Sequence, residues 1–551
     1  MKKYVSLVLF SLLSWAVCAK DFPKVILAGD YPDPTILRDG KDYYMTHSPF
    51  YYAPGFLIWH SQDLEHWEPV CRAMAQWEGS AMAPDLVKYN NRYYIYYPAA
   101  GTNWVIWADD IRGPWSAPKD LKVNGIDPGH VADADGKRYL YLSEGKIVQL
   151  SDDGLSTVGE VKKVYDGWPY PRNWRTEGMY LESPKLNYHN GYYYLTSAEG
   201  GTAGPGTSHM VVTARSKSVL GPWENSPFNP LVHTYSERES WWSRGHGTLI
   251  DDVNGNWWVV YHAYAKGYHT LGRQTLIEPI EWTPDGWCRA KSTGTFPKAE
   301  VPVRHGLKLS DDFQGAELGL QWTFWKEYAP KAATLENRTL RLKAKGKTPA
   351  DGRLLLATAE DKNYETQVEV TVGKNNTAGL LLYYSEKAYA GLVSDGKTFT
   401  VYRHAGQKTE LPNTLGRQFT VRIKNQGNHV SISVGKNEKE WTTLAEGIDV
   451  SGMHHNAYKG FYALRIGLVS IGKGEAAFRR FRYKNAVPQE KDLSAYLMVF
   501  HKDETHGLYM ALSRDGYTFT ALNDGEPVLA GDTIAYQRGI RDPYIYRCLL
   551  Y

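Results

Sequence analysis

The sequence predicts an all-β chain in three parts: a five-bladed β-propeller, a β-sandwich and a short C-terminal β fragment. Three observations carry this. A tight turn leading into an aromatic-rich strand recurs five times before residue 300. No stretch of that region shows a long 3.6-residue apolar period. The style of the chain then changes near Val303 and again near residue 490.

The first 19 residues, "MKKYVSLVLFSLLSWAVCA", have a basic start, a short apolar run and a small residue at Ala19. They read as a secretory signal cleaved after Ala19, hence an exported protein, periplasmic or secreted; the run is too short for a membrane span. Lipoprotein anchoring at Cys18 is disfavoured by Trp15 and Val17 beside it. Cys71, Cys288 and Cys548 then remain, too few for a disulfide framework.

Residues 20–302 carry the repeats: "RDGKDYYMTHS", "YNNRYYIYYPAA", "ADGKRYLYLS", "YHNGYYYLTSA" and "DVNGNWWVVYHA". The turn residues are Gly40, Asn91, Gly136, Gly191 and Gly255, types that supply the positive φ a two-strand turn needs. Units of about fifty residues match four-stranded blades around an axis. The markers "DLEHWEPV", "IRGPWSAP" and "VLGPWENSP" fall between them as outer-strand turns. Residues 303–486 alternate short strands and turns in the manner of a sandwich. Residues 493–551 are long enough for one blade and read as a partial, truncated second propeller module.

A net charge of +3 on 551 residues gives no electrostatic case for a nucleic-acid partner. Aromatics make up 13% of the chain, which suits both β-structure and the stacking of rings on sugars.

Counting back from each turn locates the candidate chemistry. Asp127, Glu182 and His246 lie nine residues before Gly136, Gly191 and Gly255; Asp33 lies seven before Gly40; Met82 lies nine before Asn91, with Asp85 six before it. Equivalent positions on innermost strands face a common axis, so Asp33, Asp127 and Glu182 are expected to converge. Crowding and burial raise the pKa of at least one carboxyl in such a set. One protonated and one ionised carboxyl is what glycoside hydrolysis uses.

"DYPDPTILRDGKDYYM", "GIDPGHVADADGKRYLYLS", "LESPKLNYHNGYYYLTSAEGGT", "RGHGTLIDDVNGNWWVVYH" and "LGRQTLIEPIEW" resemble, in order, the blocks of glycoside hydrolase family 43 over residues 25–290. The region after them resembles the concanavalin-like accessory sandwich of xylosidase-type members. The resemblance implies an exo-acting, inverting enzyme that releases terminal α-L-arabinofuranosyl or β-D-xylosyl units from plant polysaccharide. It implies Asp33 as general base, Glu182 as general acid and Asp127 as the group that tunes the acid. Glu177, in "RTEGMY", is the rival acid. Arg273 matches a substrate-binding arginine. His246 matches an axial histidine near calcium or an ordered water. Imidazole is a poor calcium ligand, so contact through water is expected, with no cofactor required. Met82 stands where the family often has Trp, and "LESP" replaces the commoner Glu-Gly-Pro. A non-catalytic sugar-binding propeller would lack one of the three carboxylates. A retaining fructan-type enzyme would need acid and nucleophile about 5–5.5 Å apart, against about 6.5–9.5 Å for inversion. In the last module, "GIRDPYIYR" places Asp542 as Asp33 is placed in the first block.

Overall fold

The computed structural model describes residues 22–291, 293–298, 306–486, 495–513, 518–533 and 538–545. The segment expected to be a signal, with Cys18, and Cys548 lie outside them. Five antiparallel sheets follow one another as propeller blades. Blade I runs Thr35–Asp39, Asp42–Thr46, Gly55–Ser61 and Glu68–Met74; blade II, Asp85–Tyr89, Arg92–Ala99, Thr102–Ala108 and Lys119–Asp120. Blade III is Gly129–Ala132, Arg138–Leu142, Lys146–Leu150 and Thr157–Lys163; blade IV, Leu181–His189, Tyr192–Glu199, Met210–Ser216 and Glu224–Asn225. Blade V is Trp241–Asp251, Trp257–Ala265 and Arg273–Trp282, and Lys24–Leu27 pairs beside its third strand, closing the ring with the start of the chain.

Each predicted turn joins the first two strands of its blade. Asn91 (φ 61°) and Gly191 (φ 79°) sit in two-residue hairpins, where only left-handed backbone matches the twist of the flanking strands. The seams between blades are separate apolar clusters, such as Leu37, Ile58 and Ile95 between blades I and II, and Tyr139, Leu195 and Ala214 between III and IV. The outer-turn marker Trp67 is fully buried, its indole N–H bonded to the Leu64 carbonyl.

The sandwich packs an eight-stranded sheet against a seven-stranded one around a core that includes Phe324, Leu380, Val421 and Phe478. The last strand of the larger sheet is Tyr52–Ala53, which belongs to blade I's connection and pairs with Thr323–Trp325. A buried ion pair, Asp30–Arg465 at 3.2 Å, also joins propeller to sandwich. The C-terminal unit has a three-stranded sheet, Tyr496–His501, Leu508–Ser513 and Thr520–Ala521. Asp542 has a left-handed backbone (φ 49°), as Asp33 (57°) and Asp127 (56°) do.

Candidate active site

Every innermost strand has a left-handed, non-glycine residue at or near its head: Asp33, Ala83 (φ 33°), Asp127, Ser183 (57°) and, in blade V, both Ser243 (51°) and His246 (57°). The conformation costs roughly 1–2 kcal/mol per residue and is kept where surrounding structure enforces it, commonly at functional sites. The equivalent positions are therefore Ala83 and Ser183, one residue after Met82 and Glu182. In blade IV the slip is a bulge between Glu182 and Lys185. Met82 is half-buried beside Ala83, whose N–H bonds Ser48 Oγ.

Asp33 is 4% exposed and heavily bonded. Its Oδ1 accepts from Arg273 Nη1 at 2.8 Å, and His246 Nδ1 lies 3.4 Å from the same oxygen. Ser48 Oγ donates to Oδ2, and the Asp33 N–H donates to His262 Nδ1 at 3.0 Å. Burial, the largest single effect, raises its pKa, but the Arg273 guanidinium and the neighbouring histidines together outweigh it and hold the carboxyl well below the usual range.

Asp127 and Glu182 show the opposite balance. Their carboxylate oxygens and a His246 ring nitrogen lie within 4.8 Å of one another. Burial, then the Asp33 charge, lifts Glu182 to about 7; burial, then Glu182 and Asp33, holds Asp127 well above its ordinary value. Asp127 Oδ2 accepts the Ser183 N–H at 3.1 Å, so the bulge that offsets Glu182 also ties it to Asp127. Glu177 is largely exposed; its Oε2 accepts the Ala203 N–H at 2.8 Å. The structure thus brings Asp33, Asp127, Glu182, His246 and Arg273 together, with one carboxyl held ionised beside two held toward protonation.

The family model "Glycosyl hydrolases family 43" matches residues 22–288. A xylan 1,3-beta-xylosidase of a Vibrio species is 30% identical over 430 residues, 66% of this chain and 77% of the relative. The chain belongs to glycoside hydrolase family 43. It is a glycosidase. A non-reducing end alpha-L-arabinofuranosidase of Bacteroides ovatus is 28% identical over 535 residues, covering 86% of this chain and 97% of the relative. The crystal structure of a xylan beta-1,4-xylosidase from Bacillus halodurans superposes with TM-score 0.76 at 27% identity, over 84% of this chain and 100% of that one. Residues 310–484 match "Beta xylosidase C-terminal Concanavalin A-like domain" and residues 491–549 match "Probable glycosyl hydrolase domain".

Several groups at this family 43 site escape sequence counting. The sandwich supplies Phe461, which stacks on Phe50 of the propeller at 6.3 Å, and Arg273 lies over both rings at 5.1 and 5.5 Å. Asn456 of the sandwich exchanges two 3.1 Å hydrogen bonds with the Gly204 backbone. Arg273 Nη2 is buried with no partner among the described residues, a donor available to a sugar hydroxyl. His262 lies within the second strand of blade V, His209 just before the third of blade IV and Ser48 just after the second of blade I, where the turn-to-head spacing does not reach.

Lys185 answers the question of an axial metal. Its ammonium, 3% exposed, donates to Pro84 O (2.9 Å), Asp85 Oδ1 (2.9 Å) and Pro128 O (3.2 Å). It bridges blades II, III and IV and lines, with the inner strands, a cavity of about 360 Å³. Two other sets, Asp33–His246–His262 and Asp127–Glu182–His246, offer ligand atoms within 4.8 Å of one another. Neither is an oxygen cage of the six to eight ligands calcium takes. His262 Nδ1 is already engaged by Asp33, and Arg273 competes for that carboxylate. The donors present do not fit the calcium that the resemblance allows.

Proposed function

We propose that the protein is an exported, exo-acting glycosidase that removes terminal α-L-arabinofuranosyl or β-D-xylosyl units from plant polysaccharide or oligosaccharide with inversion. The observation that carries the reading is the split of charge among three axial carboxyls, two buried and one partly buried: Asp33 ionised, Glu182 raised to about 7. Asp33 takes a proton from water, which adds to the anomeric carbon. Glu182 gives its proton to the leaving oxygen as the glycosidic bond breaks. Burial and the Asp33 charge keep the acid protonated, and Asp127, through Ser183 N–H, holds its bulge in place. Arg273 keeps Asp33 ionised and offers Nη2 to the sugar. The wall formed by Phe50 and Phe461 closes one side of the site, which favours a chain end over mid-chain binding. The sugars named for the Vibrio, Bacteroides and Bacillus relatives support the substrate class, and the N-terminal signal supports export.

Hydrolysis of 4-nitrophenyl α-L-arabinofuranoside and β-D-xyloside, with Asp33→Ala and Glu182→Gln alongside, tests this. Turnover of either glycoside that falls at least about 100-fold in Asp33→Ala is expected. A parent enzyme that is folded and turns over neither, or an Asp33→Ala variant of full activity, contradicts it.

A further inference from the structure

Two buried imidazoles form a chain from the residue proposed as base to the one proposed as acid. His262 Nδ1 lies 3.0 Å from the Asp33 N, in line with its N–H, and 3.1 Å from Asp33 Oδ1 without that alignment; the N–H therefore takes the ring's lone pair, and the hydrogen of the neutral ring sits on Nε2. His262 Nε2 faces Thr202 Oγ1 at 3.2 Å and His209 Nδ1 at 3.3 Å. A hydrogen on His209 Nδ1 would oppose it, so Nδ1 accepts and the His209 hydrogen sits on Nε2. That Nε2 is buried with no aligned acceptor among the described residues, and Glu182 Oε1 lies 3.3 Å away. A small turn of the carboxylate completes the bond, as hydrogen bonds at such sites commonly tighten around substrate. Burial pushes His209 down to about 3 and His262 well below the usual imidazole range, so each ring carries one hydrogen. The seat of His209 is specific: a Cβ at Gly245 would lie 2.3 Å from its Cγ.

We propose that this tautomer chain, from the Asp33 N–H through His262 and His209 to Glu182, decides which oxygen of the acid carries its proton. Oε1 accepts from His209, and the acid proton is confined to Oε2. A proton on Oε1 would meet the His209 N–H; one on Oε2 is free to move to the leaving oxygen. As it moves, the glycosidic bond breaks with its electrons on that oxygen, and water gives its hydroxyl to the anomeric carbon and its proton to Asp33. The Glu182 carboxylate left behind is held by the same His209 N–H. His209 and His262 are positioning residues, and the proposal rests on Glu182 being the general acid.

The test compares His209→Leu, His209→Gln and Glu182→Gln on two glycosides of the sugar the enzyme releases. One is the 2,4-dinitrophenyl glycoside, whose leaving group needs no proton; the other is the methyl glycoside, whose leaving group does. His209→Leu is expected to lose about 100-fold on the methyl glycoside and only a few-fold on the dinitrophenyl one. Its alkaline limb moves to higher pH, because the carboxylate has lost a donor. His209→Gln, whose side-chain N–H reaches a similar position, retains most of the activity. Equal losses on both glycosides, or a Gln variant no better than Leu, overturn the proposal. Should the Leu variant not fold, Gly245→Ala, which displaces the His209 ring, carries the same comparison with the same two readings. Loss of leaving-group dependence in Glu182→Gln itself would instead remove Glu182 as the acid, which separates that failure from this one.

Discussion

The charge on each axial carboxyl follows from its neighbours, and two predictions belong at this scale. Asp33 faces a guanidinium at 2.8 Å, whereas Glu182 faces burial and other carboxyls. Activity should therefore fall as pH rises through about 7, the Glu182 pKa, while the acid limb stays low because Asp33 remains ionised. A kcat/KM profile checks this. The same shift has a stability consequence. Glu182 sits at about 7 in the fold against an ordinary 4.5, so the folded chain holds that proton more tightly than the unfolded one. The contribution is fully present below pH 4.5 and is lost as pH rises through about 7. Glu182→Gln removes that loss: its melting temperature should exceed the parent's at pH 9, by up to about 3 kcal/mol of stability, and the gain should shrink toward pH 5. Asp33, Asp127 and Glu182 were legible in the sequence because Pro-flanked carboxylates recur ahead of hairpin turns. Ser48, His209 and His262 were not, because nothing periodic marks them and a lone His near an apolar strand reads as core.

At the scale of the strand, the five hairpins could be counted because each needs a residue that tolerates positive φ. The heads of the inner strands could not be registered to the residue. The bulge at Ser183 and the different entry at Ala83 shift blades IV and II by one, and an inserted residue leaves no mark in a count from one turn. Lys185 lies in that bulged strand and donates to groups about 57 to 101 residues away, a convergence only closure of the ring produces. Removing it strands Asp85 as a buried charge, so Lys185→Met should cost about 3–5 kcal/mol in a denaturant melt. The double variant Asp85→Asn/Lys185→Met should recover part of that loss. Full stability of the single variant would mean the pair does not hold the axis.

Across the whole molecule, both the propeller and the sandwich were visible in the spacing of turns, but the joint between them was not. It is made by two residues, Tyr52–Ala53, that leave blade I to pair with a strand some 270 positions later, and by single side chains such as Arg465 and Phe461. Arg465 is buried against Asp30 and lies over the Tyr52 ring at 3.4 Å. Arg465→Ala should cost about 3–5 kcal/mol, read as a lower melting temperature, by leaving the buried Asp30 unpaired. The central claim is that Asp33 activates water while Glu182 protonates the leaving group. The most direct measurement is proton NMR of the sugar first released from 4-nitrophenyl α-L-arabinofuranoside or β-D-xyloside, before mutarotation. The account predicts the anomer opposite to that of the substrate. Release of the same anomer would make Asp33 a nucleophile and contradict it.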